Sequence, residues 1–262
     1  AWTPAVGSPM SPSMIEWHDD AIVLSARAHG EDAALVQALT ATRGRHAGLV
    51  RGGQSRRARG SYEPGTLVRA RWRARLAEHL GQYSCEAVAS PAAALMAAPG
   101  RLAALAAAMA LAEAALPERA AHPGVYAGTR ALLFALDDAP WAEAYVQWEL
   151  LLLRELGFGL DLSGCAGGGN DRLAYVSPRS GRAVSLSAGA PYRDRLLPLP
   201  GFLVGSGTSD AAAVADGLRL TGYFLSRHIL APADRSLPAA RERLVARFAA
   251  DDGSVEAAAP IL

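Results

Sequence analysis

The chain has 262 residues, about half of them hydrophobic, and a formal net charge of only +1. That length suits one large domain or two ordinary ones with a full core. No apolar run is long enough to cross a bilayer, and the only cysteines, Cys85 and Cys165, form no CxxC pair, which argues against a helical membrane anchor and a disulfide framework.

Residues 1–13 hold three prolines and no charge. They lack the basic start and apolar core of a signal peptide, so they are read as an upstream or added extension, with Met14 as the natural start and the cytoplasm as the expected location. Within Glu16–Arg27, the apolar stretch Ala21–Leu24 predicts a first strand. Ala33–Thr40 predicts a second, Thr42–Arg45 a turn, and His46–Arg51 a third strand closing a hairpin. Gly52–Gly60 reads as a basic loop. Thr66–Leu76 then alternates, with Arg69, Arg71, Arg73 and Arg75 in one register and Val68, Ala70, Trp72, Ala74 and Leu76 in the other. Side chains of a strand point to alternate faces, so this run predicts a strand with one guanidinium face and one buried face. A fifth strand is expected over Gln82–Ala89. Five short strands with glycine turns over residues 14–90 predict a small closed barrel of the OB type.

The charge lies mostly here. Between Arg43 and Arg75 there are ten arginines and one acid, Glu63, a local balance of +9 that leaves the rest of the chain net acidic. The chain contains no lysine, a trait that a GC-rich genome would also produce. Four like charges on one strand face repel and need a counter-charge, and the sequence offers almost none nearby. A field of this kind attracts polyanions. The expected DNA-binding residues are Arg43, Arg45, Arg51, Arg56, Arg57, Arg59, Arg69, Arg71, Arg73 and Arg75. Tyr62 and Tyr83 are expected to be exposed for base stacking, and Trp72 to face the core.

From Pro91 to about residue 250 the spacing turns helical, as the abundance of alanine also suggests. Leu102, Leu105, Met109 and Leu116 form one stripe, which Pro117 ends, and Pro123 opens another helix. Trp141, Tyr145, Trp148 and Leu152 form an aromatic stripe that reads as core. Residues from about 158 to 199 are irregular, with short strands expected near Leu173–Val176 and Ala183–Leu186. Further helices are expected over Ser209–Leu230 and Pro238–Phe248, before a loose tail at 251–262. The whole predicts an α+β chain: an OB-type barrel, then a mainly helical domain with an irregular insertion.

No catalytic pattern emerges. Gly164–Gly169 lacks the ending of a phosphate loop and the spacing of a dinucleotide turn. The six histidines form no HExxH, and no GxSxG is present. The expectation is a protein that makes no covalent chemistry and carries no cofactor. An RNA-binding OB module, or an interaction protein docking an acidic partner, stays open on charge alone.

Four strings carry a resemblance. They are EWHDDAIVL at Glu16–Leu24, GRHAGLVRGG at Gly44–Gly53, WELLLLRELGFGLDL at Trp148–Leu162 and LAYVSPRSGRAVS at Leu173–Ser185. On these, the chain from residue 14 to about 250 resembles the bacterial RecO family of DNA repair proteins, of the alphaproteobacterial kind. The resemblance implies binding to single- and double-stranded DNA and annealing of complementary strands. It also implies work with RecR, and often RecF, to load the recombinase on DNA coated by single-strand-binding protein, at the nucleoid. Some relatives hold a four-cysteine zinc site in the insertion. Only Cys165 could match it here, so metal is expected to be absent. The resemblance further implies a pocket for the acidic tail of single-strand-binding protein. Tyr126, Arg130 and Phe134, spaced to share one helix face, are the residues expected to form it.

Overall fold

The alternation of the first ninety residues closes a barrel. Its strands are β1 (Ile15–His29), β2 (Ala33–Thr40), β3 (Gly44–Val50), β4 (Leu67–Ala74) and β5 (Gly81–Ala89), hydrogen-bonded in the order β1-β2-β3-β5-β4. The computed structural model describes residues 14–55, 60–138, 140–207 and 209–252. The expected extension 1–13 and nearly all of the expected tail lie outside them. All neighbouring strands are antiparallel except β3 and β5. The architecture is the predicted α+β one, with an OB-type barrel first.

Inward-facing residues fill the barrel, among them Trp17, Val23, Val36, Val68, Trp72 and Tyr83. Trp17 and Trp72 are cross-strand partners and stack at 5.5 Å between ring centroids. His46 meets both edge-on. A Cβ on Gly81 would come within 2.2 Å of the Trp72 ring, so glycine lets β5 start that close. Tyr62 and Tyr83, expected at the surface, are buried. Tyr83 points inward beside Trp17 because it shares the register of Trp72 on the next strand.

Outward-facing Ile22, Leu24, Leu39 and Leu67 belong to a second core, which the helices build. These are α1 (Pro99–Ala115), α2 (Pro123–Ala135), α3 (Trp141–Glu155), α4 (Ala211–Phe224) and α5 (Ala239–Asp252). Proline opens α1 and α2 at a position where its missing N–H costs nothing. Tyr145, Trp148 and Leu152 of α3 are buried as predicted. The stripe on α1 begins at Leu105, since Leu102 in the first turn faces solvent.

Two differences from the sequence reading matter for the site. First, β1 runs well past Ala21–Leu24 at both ends, and its early half pairs with β4. Second, β3 starts at Gly44, so Arg45 lies on a strand rather than in a turn. Gly44 has φ of 71°, and a Cβ there would strike the Ala120 carbonyl. This close approach lets the segment after α1 run along β3, where Arg45 and Glu118 form a bridge.

A buried ion pair ties α3, α4 and α5 together. Arg241 donates to both Glu149 oxygens at 2.7 and 2.8 Å and to the Leu218 carbonyl at 2.7 Å, while the Thr221 hydroxyl also donates to Glu149. In the insertion, β6 (Leu173–Val176), β7 (Ala183–Ser185) and β8 (Leu197–Pro198) form a three-stranded sheet in the order β7-β6-β8. Cys165 sits beside it and its sulfur accepts N–H bonds from Ser185 at 3.1 Å and Gly167 at 3.3 Å.

Two measurements follow. Arg241→Ala strands the Glu149 carboxylate in the core and should cost about 3–5 kcal/mol in urea unfolding, whereas replacing both partners by apolar residues of similar volume should cost far less. Hydrogen bonds from the Ser185 side chain and backbone, then from Gly167 and Gly169, stabilise the Cys165 thiolate and lower its pKa to about 7. Burial pushes Cys85 up to about 12. Iodoacetamide labelling should therefore go to Cys165, rising in rate as pH passes 7 and levelling above pH 8, because the thiolate is the nucleophile. A chelator should leave that profile unchanged. Labelling only after chelation would reveal a bound metal.

Candidate nucleic-acid interface

Strand β4 has the predicted alternation: Arg69, Arg71 and Arg73 are exposed, while Val68, Ala70, Trp72 and Ala74 are buried. Its neighbours supply the counter-charge that the linear sequence appeared to lack. Arg69 stands between Asp20 on β1 and Glu86 on β5, with Glu86 at 4.0 Å. Arg71 donates twice to Glu16, both bonds 2.8 Å. The bidentate guanidinium holds the Glu16 carboxyl below its usual pKa. One half of the arginine row is thus largely neutralised.

The other half is not. Arg73 has Gln82 as its partner on β5 and Glu16 on β1, but the Glu16 carboxylate is bonded by Arg71, and Arg75 follows the strand. Arg73 and Arg75, together with Arg51, which follows β3, and His79, line a groove of about 510 Å³ in which, among the described residues, no carboxylate takes part. A smaller recess of about 130 Å³ between Arg71, Arg73 and Ser84 continues it over the face of β4 and β5. Among the described residues, Arg51, Arg73 and Arg75 make no ion pair within 4 Å. Arg43 lies at the same end of the barrel, over the Trp17 ring.

Arg45 does not join them. It is 6% exposed and donates to the Leu116 carbonyl at 2.9 Å, and to Gln37 and Glu118 at 3.2 Å each. Its charge fastens the barrel to the helical part. Arg56, Arg57 and Arg59 lie outside the described residues. Sequence reasoning missed His79, Gln82 and Arg119, which carry no local pattern and reach this end only through the fold.

Tyr126 and Arg130 of α2 line a cleft of about 220 Å³ against the barrel, together with Asp20, Arg69 and Val88. Burial raises the pKa of Tyr126. Phe134 is half exposed and does not line that cleft. The fold therefore brings two of these three residues together.

Among the described residues, no three His, Cys, Asp or Glu side chains converge as a metal site would need. The Cys165 sulfur is engaged by backbone N–H groups, and Asp171 accepts from the Ser187 N–H and hydroxyl. No helix among them is long and apolar enough to cross a membrane.

Comparison with known proteins places this geometry. Residues 14–91 match the family profile described as Recombination protein O N terminal, and residues 96–238 match Recombination protein O C terminal. The chain is 59% identical over 237 residues to a DNA repair protein RecO of Rhodospirillum centenum, covering 89% of this chain and 95% of that one. It is 55% identical over 244 residues to that of Rhodospirillum rubrum, covering 90% and 97%. It is 49% identical over 247 residues to that of Methylobacterium nodulans, covering 91% and 100%. Two matched domains in the order of the barrel and the helices, and identity sustained across both, place the chain in the RecO family of DNA repair proteins.

Proposed function

We propose that this chain binds single- and double-stranded DNA on the barrel and anneals complementary strands without covalent chemistry. The observation that carries the reading is the carboxylate-free groove of Arg51, Arg73 and Arg75. Two complementary strands repel through their phosphates. A surface that neutralises both lowers that repulsion and concentrates them. Each guanidinium that meets a phosphate releases condensed counterions, which gives affinity with little regard for sequence. Arginine suits the task because its planar fork matches phosphate oxygens. Annealing of this kind needs no cofactor and no metal.

Membership in the family supports the finer role: helping to load the recombinase onto DNA coated by single-strand-binding protein, in the cytoplasm at the nucleoid. RecR, and RecF with it, are the expected partners, together with the acidic tail of single-strand-binding protein. The cleft at Tyr126 and Arg130 is the candidate seat of that tail, since an arginine fork beside an apolar wall suits a terminal carboxylate.

The test is annealing of complementary oligonucleotides, bare and coated with single-strand-binding protein. The protein should accelerate both. The variant Arg51→Ala/Arg73→Ala/Arg75→Ala should anneal at close to the uncatalysed rate with an unchanged circular dichroism spectrum. Full acceleration by that variant would remove the groove from the function, and no acceleration by the unaltered protein would remove the function itself.

A further inference from the structure

The barrel has a second opening beside the basic groove. It is a cavity of about 310 Å³, the volume of about ten water molecules. Trp17, Trp72 and His46 form its floor, and Arg43 and Arg119 stand at its rim. Ala77, from the loop between β4 and β5, and Ala121, from the segment before α2, supply small, exposed walls.

The floor is built of flat rings. One face of Trp17 stacks on Trp72, with 16° between the planes. The Arg43 guanidinium lies over the Trp17 ring at 5.1 Å from its centroid. Arg43 is exposed in the turn after β2, and among the described residues it makes no contact with a carboxylate. His46 Nδ1 lies 3.1 Å from the Ala47 carbonyl, so it must donate there. In the neutral ring that leaves Nε2 as an acceptor, and burial, which lowers the His46 pKa, favours the neutral ring.

The rim is fixed at a cost. Arg119 has φ of 59°, a left-handed conformation that is unfavourable for a side chain larger than glycine. Three bonds hold it. Its N–H donates to the Arg45 carbonyl at 2.8 Å, and its guanidinium donates to the Glu78 and His79 carbonyls at 3.1 and 3.0 Å. These bonds clamp the β4–β5 loop, which carries Ala77, against the segment joining α1 to α2. The same loop bears His79 of the basic groove.

We propose that this cavity takes one unstacked nucleobase of bound single-stranded DNA, slotted against Trp17 with the Arg43 guanidinium swung out to a flanking phosphate. The inference rests on the DNA-binding reading above and adds a base subsite to it. Aromatic and guanidinium planes are the common stacking partners of bases in single strands, and such stacking is tolerant of sequence. A strand tracking Arg75 and Arg51 passes the mouth of the cavity, because both openings border the β4–β5 loop, and Met14 of the groove adjoins Ile15 of the cavity. A paired base cannot enter, so the cavity favours single strands over duplex.

The test fills the cavity from its exposed walls. Ala77→Leu and Ala121→Leu should each weaken binding of an oligothymidylate roughly 5- to 150-fold, the worth of stacking one base, with the salt slope shallower by at most about 0.7, the one phosphate contact of Arg43 that depends on the base entering. An oligothymidylate bearing one 2-aminopurine should lose fluorescence on binding the unaltered protein, and regain it with Ala77→Leu. Unchanged affinity in both variants, or no quenching with the 2-aminopurine at any position along the strand, overturns the base subsite. Absence of any oligothymidylate binding by the unaltered protein overturns the DNA-binding reading and this inference with it.

Discussion

Strand β4 is hydrogen-bonded on both edges, and most of the site follows from that constraint. Pairing with β1 and β5 fixes its register on either side. Trp72 must then enter the barrel beside Trp17, and Arg69, Arg71 and Arg73 must leave it. A shift of one residue would bury the arginines and expose the tryptophan, so burial on one face locks the charge on the other. The guanidinium row is a consequence of how the barrel closes.

The same register decides which charges remain available. Cross-strand neighbours sit close enough for charges to pair. β1 contributes Asp20 and β5 contributes Glu86, both opposite Arg69, while Glu16 of β1 stands opposite Arg73 in register but bonds Arg71. Beyond them, Arg73, Arg75, Arg51 and His79 meet no carboxylate in their groove. Among the described residues, the arginines without an ion pair therefore gather at one end of the barrel, where Arg43 and Arg119 also stand. Pairing at the other end does more than quench charge. It relieves the repulsion that a row of four like charges would bring to the strand.

Much of this was legible in the sequence. Alternation from Val68 to Ala74 sets the orientation of those seven side chains, and β2 was legible to the residue, because a half-buried strand writes its period directly. The partition of charge was not legible. Glu16 is 55 positions from Arg71, and only pairing register brings them together. Arg45 was misread for a related reason. Its Thr-Arg-Gly-Arg setting looks like a turn, yet Gly44 already begins a strand, and two of the three acceptors of Arg45 come from beyond α1. Tyr62 and Tyr83 read as exposed because polar tips hide how much of an aromatic ring a barrel can bury. The insertion strands were legible from short β-branched and aromatic runs, whereas the bonds that engage the Cys165 sulfur come from Ser185 as well as from its own loop.

On the proposed reading, DNA-binding strength lies at one end of the arginine row. This is tested most directly by comparing two variants on the same duplex over a range of salt: Arg73→Ala/Arg75→Ala and Arg69→Ala/Arg71→Ala. The slope of log affinity against log salt counts phosphate contacts, close to one unit for each. The first variant should lose about two units of slope, while the second stays near the unaltered protein. Equal losses in the two variants, or a greater loss in the second, would contradict that reading.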